Sequence, residues 1–277
     1  MISVVAIAVC AELSVDALLL AGRQAGVASF PEVLAVMPTV FYPDEHAAID
    51  AAVLSSLAGT GVLDESGSFN SSVLHWVSIL GRPHVEAAAR VRNGSRWLRM
   101  SLVRAGETHV LAARLGEMIT VQPVFCDGTD PHVVTAALWS GLGACPALSF
   151  APVTALTADL AALQHLEPGE LIDPLLGLGA EGSSAAVIST LGHARQRAEI
   201  TMTSYASTGA RSLGVGIGVF DTEHGRVIAR ARRGANGQMW SVFVPGSLAE
   251  FHQGVTDLAA LLPEGDWFGA AHANSGS

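Results

Sequence analysis

Two stretches of the chain, residues 84–124 and 197–244, are each cut into four strand-length segments by turns too short to carry anything but a hairpin. In the first stretch, segments 84–92, 96–104, 108–114 and 117–124 are separated by Asn93-Gly94, by Ala105-Gly106-Glu107 and by Gly116. In the second, the turns are Ser207-Thr208-Gly209, the run from Asp221 to Gly225, and Ala235-Asn236-Gly237. A short Asn-Gly connection reverses the chain, whereas a parallel crossover needs about a dozen residues or more. Both stretches therefore predict antiparallel meanders. With helical segments around them, the fold class is α+β with a central antiparallel β-sheet.

Residues 2–10 read as an opening strand, because the apolar run is short and lacks the basic start of an export signal. Ser14 or Asp16 then starts a helix that ends near Gly26. Pro43 opens a second, with Asp44 and Glu45 in its first turn; Ile49, Val53 and Leu57 recur every four residues until Gly59 and Gly61 stop it. A third centres on Val73, Val77 and Leu80, and Asp130-Pro131 starts another that runs to Gly141. Helical pieces are predicted at 154–165, near 167–176 and at 183–192. Ser247-Leu-Ala-Glu250 has the spacing of a capping box, Phe251, Val255 and Leu258 follow it, and Pro263 ends that helix. The order is helices, meander, helices, meander, helix. It divides the chain into halves of one plan, 1–125 and 126–268, with a small polar tail at 269–277 that reads as disordered.

Charge is unevenly spread over this plan. All 15 cations are arginine, and there is no lysine. That excludes a Walker phosphate cradle, a Schiff-base enzyme and a Ser-x-x-Lys nucleophile, each of which needs an ammonium on a flexible stem. Window 82–104 holds six arginines against Glu86, and window 195–233 holds seven against Glu199, Asp221 and Glu223. The chain as a whole carries −10. Such a net charge disfavours a general affinity for nucleic acid or anionic lipid. The arginine-rich meanders read either as solvated strand faces or as a positive sheet surface that steers an acidic partner. Half of the residues are hydrophobic, yet no run reaches the ~18 apolar residues of a membrane span. Cys10, Cys126 and Cys145 are odd in number and lack C-x-x-C spacing, which fits a reducing cytoplasm better than a disulfide framework.

No catalytic constellation stands out. Gly177-Leu-Gly179-Ala-Glu-Gly182 matches a dinucleotide fingerprint in spelling, but a proline-broken segment precedes it, so it reads as a loop between helices. The ten histidines show no metal-ligand spacing, so neither metal nor cofactor is expected. An enzyme with a dispersed, motif-free site remains the alternative, and it would need several of His75, His109, Glu117 and Asp221 to converge in one pocket. Gly214-Val-Gly216-Ile-Gly218 reads as a strand whose three glycines share a face and leave a trough, filled by the protein's own helix or by a partner's. Ile200, Met202 and Ser204 on the preceding strand are candidate neighbours of that trough, if the register puts both sets on one face.

A series of features in order carries a family resemblance over residues 2–268. It includes Gly61-Val-Leu-Asp64, Leu80-Gly-Arg82-Pro83, Gly106-Glu-Thr-His-Val110, Gly218-Val-Phe-Asp221, Val244-Pro245-Gly246 before the capped helix, and Leu261-Leu-Pro263 with Asp266-Trp267. In these the chain resembles the EspG family of type VII (ESX) secretion-associated proteins. The resemblance implies an antiparallel sheet flanked by two helical bundles in two quasi-symmetric halves, without enzymatic activity. It implies a cytosolic chaperone that binds the PPE tip of a PE–PPE heterodimer and directs the pair to its secretion system. The family's binding surface on sheet and C-terminal helices then makes Ile200, Met202, Ser204, Gly214, Gly216 and Gly218 the candidate partner-binding residues. Whether the protein also forms a homodimer stays open.

Overall fold

The computed structural model describes residues 9–38, 43–126, 131–206, 209–263 and 267–268. Most of the strand expected over 2–10 lies outside these residues, as do Asp130, Ser207, Thr208, Asp266, the 269–277 tail and the side chains of Asp44 and Glu45. The first described strand, β1, is Ala11–Ser14. Its last residue serves twice. The Ser14 hydroxyl accepts the Ala17 N–H at 3.1 Å and so caps α1 (Val15–Gln24). Helices α2 (Pro43–Leu57) and α3 (Ser71–Gly81) follow, the latter capped by Asn70. The first meander is β2 (Val85–Asn93), β3 (Arg96–Ala105), β4 (Thr108–Leu115) and β5 (Met118–Val124), with Gly94, Gly106 and Gly116 all at positive φ in its turns.

Helix α4 (His132–Ser140) leads to the main departure from the sequence reading. The helix expected from residue 154 begins only at Thr157. Val153–Leu156 form an edge strand, β6, before α5 (Thr157–Ala162). The spacing of Leu156, Leu160 and Leu163 is helical, but it carries no trace of the distant strand with which 153–156 pairs. Helices α6 (Ile172–Gly177) and α7 (Gly182–Ser189) follow, and the 177–182 glycine run spans the short loop, 178–181, between them. The second meander comprises β7 (Gln196–Ala206), β8 (Gly209–Asp221), β9 (Arg226–Arg233) and β10 (Met239–Pro245). Helix α8 (Leu248–Ala259), the last described helix, begins with half of its capping box. Ser247 Oγ accepts the Glu250 N–H at 3.2 Å, while the Glu250 carboxylate turns to Arg230.

All ten strands join one sheet in the order β1-β5-β4-β3-β2-β7-β8-β9-β10-β6, and every ladder between them is antiparallel. The two meanders meet through their first strands, with Ala87 opposite Met202 and Ala89 opposite Ile200. Residues directly opposite each other share a face, so the register sorts the whole sheet into two sides.

On one side, here called the packed face, α4 and α8 cover the centre. Ala87, Met100, Ile200, Met202, Ile217 and Ile228 meet Val134, Leu138, Phe251 and Val255 in one continuous core. Small residues bring the helices close: a Cβ on Gly254 of α8 would lie 3.1 Å from Ile217 Cδ1. At one end of this face Arg226 is fully buried. It donates from Nε and Nη2 to Asp221 at 2.6 and 2.9 Å, and from Nη2 to the Leu142 carbonyl that follows α4. Its guanidinium lies 4.6 Å from the Trp139 ring. At the other end Trp267 is buried, donating its indole N–H to His109 Nε2 at 3.0 Å and accepting from Arg104 Nε.

The opposite side is covered only at its two ends. Helices α1–α3 pack over β1 and β3–β5 through residues such as Leu18, Val77, Val110 and Ile119. Helices α6 and α7 pack over β6 and β9 through Leu175, Ile188, Val153 and Val227. Between these groups lies a strip formed by β2, β7 and β8, the open face.

Candidate functional site

The open strip follows from the alternation of three strands. Glu86, Ala88, Arg90 and Arg92 of β2 project on this side because Val85, Ala87, Ala89 and Val91 enter the packed core. Opposite them β7 presents Arg197, Glu199, Thr201 and Thr203. Next to those, β8 presents Gly216 and Gly218. A recess runs along this surface, walled on one side by Phe30–Val33 and by Leu80–Pro83 at the end of α3. It continues past Arg90 and Glu199 to Arg92, Trp97, Arg197 and Phe220.

Gly214, Gly216 and Gly218 line this recess, and among the described residues Leu80 and Gly81 are its only lining residues from an α-helix. Each glycine meets a different local demand. Gly214 sits in a bulge where Leu213–Val215 stand opposite the single residue Met202, and its φ of +67° is one that a side chain disfavours. At Gly216 a Cβ would come within 2.5 Å of the Ile200 carbonyl oxygen, so the bent strand needs bare backbone there. At Gly218 a Cβ would meet the Phe220 ring at 2.9 Å, because that aromatic lies over it.

The other three candidates are elsewhere. Ile200 and Met202 are fully buried in the packed core, and Ser204 is buried on the same side. Register is the reason: Gly216 faces Thr201 and Gly218 faces Glu199, while Ile200 faces Ile217. The two sets thus lie on opposite sides of one sheet. The residues that do share the open face, Glu199, Thr201, Thr203 and Tyr205, are the polar alternates of the same strand. Their signal was present in the sequence as polarity at every second position.

The chemistry of the strip is polar at its floor and cationic at one end. Glu86 is buried to 4% exposure, and its two carboxylate oxygens accept Ser101 Oγ at 2.7 Å and Tyr205 Oη at 2.6 Å. Burial pushes its carboxyl above the ordinary carboxylate range, more than the two hydroxyl bonds pull it down. Tyr205 is pushed far above the normal phenol value by burial and by the adjacent Glu86 charge. The pair is thus a carboxylate held by neutral donors.

The residues named for a dispersed active site do not converge. His109 on β4 bonds Trp267, and Asp221 on β8 bonds Arg226. Four strand spacings separate β4 from β8 in the sheet order, about 19 Å. Glu117 is exposed beside Arg114, and His75 lies on α3. Among the described residues no group of three His, Cys, Asp or Glu side chains is placed to hold a metal. Nor is any helix among them long and apolar enough to cross a membrane.

Comparison with known proteins bears on the whole chain. A family model described as the EspG family matches residues 14–257. The chain is 27% identical over 261 residues to the ESX-3 secretion-associated protein EspG3 of Mycolicibacterium smegmatis, covering 93% of this chain and 88% of that protein. To the ESX-1 secretion-associated protein EspG1 of Mycobacterium tuberculosis it is 27% identical over 266 residues, covering 92% and 88%. Among solved structures, it superposes at a TM-score of 0.79 and 15% identity on a chain of the Mycobacterium tuberculosis type VII secretion system chaperone EspG5 in complex with the PE25–PPE41 dimer. That match covers 94% of this chain and 99% of the other.

Proposed function

Since the chain belongs to the EspG family, we propose that it is a cytoplasmic type VII secretion chaperone that binds a PE–PPE heterodimer through the PPE protein, keeps the pair soluble and directs it to its secretion system. The family is one of chaperones and not of enzymes. The observation that carries the reading is the open strip. A sheet surface with three strands side by side, walled on one side by Phe30–Val33 and the end of α3 and floored by glycine backbone and hydroxyls, receives a protein segment better than a small molecule. The fold shared with the EspG5 chain of the PE25–PPE41 complex supports the same partner class.

Two finer points belong to this proposal. The halves 1–125 and 126–268 are quasi-symmetric: the strand order reads outward from the β2–β7 pair as four meander strands and one edge strand on each side. The glycine-bearing strand β8, together with the polar alternates of β7, is the partner-binding part of the sheet. Ile200, Met202 and Ser204 act in it only by holding those strands in place from behind.

Co-expression with the PE–PPE pairs of the same secretion locus, followed by size exclusion, tests the reading. A stable ternary complex is expected, and Thr201→Trp on the open face should abolish it while the melting temperature stays within a few degrees of the parent. Separate elution from every cognate pair would sink the proposal.

A further inference from the structure

The arginines at one end of the open strip are arranged at a cost. Arg92 stands directly opposite Arg197 across the β2–β7 ladder, and Arg90 directly opposite Arg99 across β2–β3. Like charges in directly opposed cross-strand positions destabilise a sheet. Arg99 is used internally: it donates to the Val33 carbonyl and its guanidinium lies 5.6 Å from the Trp97 ring. The others project outward. Arg92, 5.7 Å from the same ring, donates among the described residues only to the Gly94 carbonyl of its own hairpin, and Arg197 is exposed. Among the described residues Glu199, 3.9 Å from Arg90, is the one acidic group within ion-pair distance of Arg90, Arg92 or Arg197.

We propose that this end of the strip, Arg90, Arg92 and Arg197 around Trp97, captures an acidic segment of the protein that occupies the strip. The inference rests on the chaperone reading and deepens it by assigning the chemistry of one part of the client. The recess is continuous, since Arg90, Glu199 and Gly216 line both its cationic end and its Glu86–Tyr205 end. A segment carrying carboxylates at the arginine end and hydrogen-bonding or apolar groups at the other complements it along its length. Guanidinium forks suit carboxylates, which they hold through paired hydrogen bonds. Nucleic acid fits less well, because a net charge of −10 repels a polyphosphate and the patch offers one exposed aromatic for stacking.

The test uses the full-length protein and its R92E/R197E variant, with R92Q/R197Q as a milder second variant and melting temperature as the control for folding. Two probes are titrated in parallel at rising salt: a fluorescein-labelled oligo-glutamate peptide, and the cognate PE–PPE pair. Peptide binding at low salt, lost in both variants, is expected. For the pair, association should slow with salt and fall about tenfold in R92E/R197E, with much less change in dissociation. Peptide binding unchanged in the variants, or pair association that is unaffected by both the charge reversal and salt, overturns the inference while the chaperone reading stands. A gel shift in which a single-stranded oligonucleotide binds more tightly than the peptide through the same arginines also overturns it. If no cognate pair binds the parent protein, the chaperone reading fails; loss of peptide binding in the variants then still upholds an acid-binding surface.

Discussion

Strands β2, β7 and β8 carry very different surfaces on their two sides. Behind them, Ala87, Ile200, Met202 and Ile217 are sealed under α4 and α8 with essentially no exposure. In front, their immediate neighbours in sequence, Glu86, Glu199, Thr201 and Gly216, line a recess that no described helix occupies. One residue step along a strand crosses from the part of the molecule that supplies stability to the part left available for a partner. The difference teaches that this sheet is held from one side only at its centre. The helices that would close the other side are displaced to its two ends, where they complete separate cores.

Three substitution experiments can break or sharpen that contrast. The largest effect is expected at the buried ion pair of the packed side. Asp221→Ala leaves the Arg226 guanidinium buried beside Trp139 without its carboxylate, and urea unfolding should show a loss of about 3–5 kcal/mol. The neighbouring pair Ile200 and Thr201 gives the cleanest comparison. Ile200→Ala should cost about 2–5 kcal/mol by opening a cavity under α8, whereas Thr201→Ala should stay within about 0.5 kcal/mol. Equal losses at both positions would mean that the open face is packed after all.

The smallest effect is in pH dependence, and it has opposite sign on the two sides. Burial holds His109 below the ordinary imidazole range, so the unfolded chain takes up that proton first as pH falls. Stability from this group is present above about pH 6.5 and declines on acidification, with a slope of at most about 1.4 kcal/mol per pH unit. Glu86 is raised, so the folded protein takes up that proton first, and acidification through its titration toward the ordinary carboxylate value favours the folded state. Urea midpoints across the range should fall less steeply in His109→Gln than in the parent between about pH 7.5 and about pH 5.5. In Glu86→Gln the compensating gain at lower pH should disappear.

How much of this was legible in the sequence depends on the range of the interaction concerned. The meanders were readable because Asn93-Gly94 and its counterparts act within a few residues, and the Ser14 and Ser247 caps are equally local. Strand β6 was not readable, because its only reason to be a strand is β10, more than eighty residues away. The Ser247–Glu250 box was half readable: its second bond lost to an arginine on another strand. For the candidate site, the glycine strand was legible as a strand, but the register that decides whether Ile200, Met202 and Ser204 share its open face was not, and it puts them on the other side. Apolar residues at every second position mark the side that gets buried, so the polar alternates were the better indicators of the accessible one.

By itself, then, the sequence determined the α+β class, the two hairpin meanders, the uneven placement of arginine and the ordered features of the EspG family, all of which are set by short-range turn chemistry, periodicity and composition. Only the tertiary structure decided which side of β2, β7 and β8 would stay open and which arginines would face one another across it. That decision rests on the β2–β7 register and on where the helices come to lie, and both are pairings between segments about a hundred residues apart, for which no local pattern carries the information.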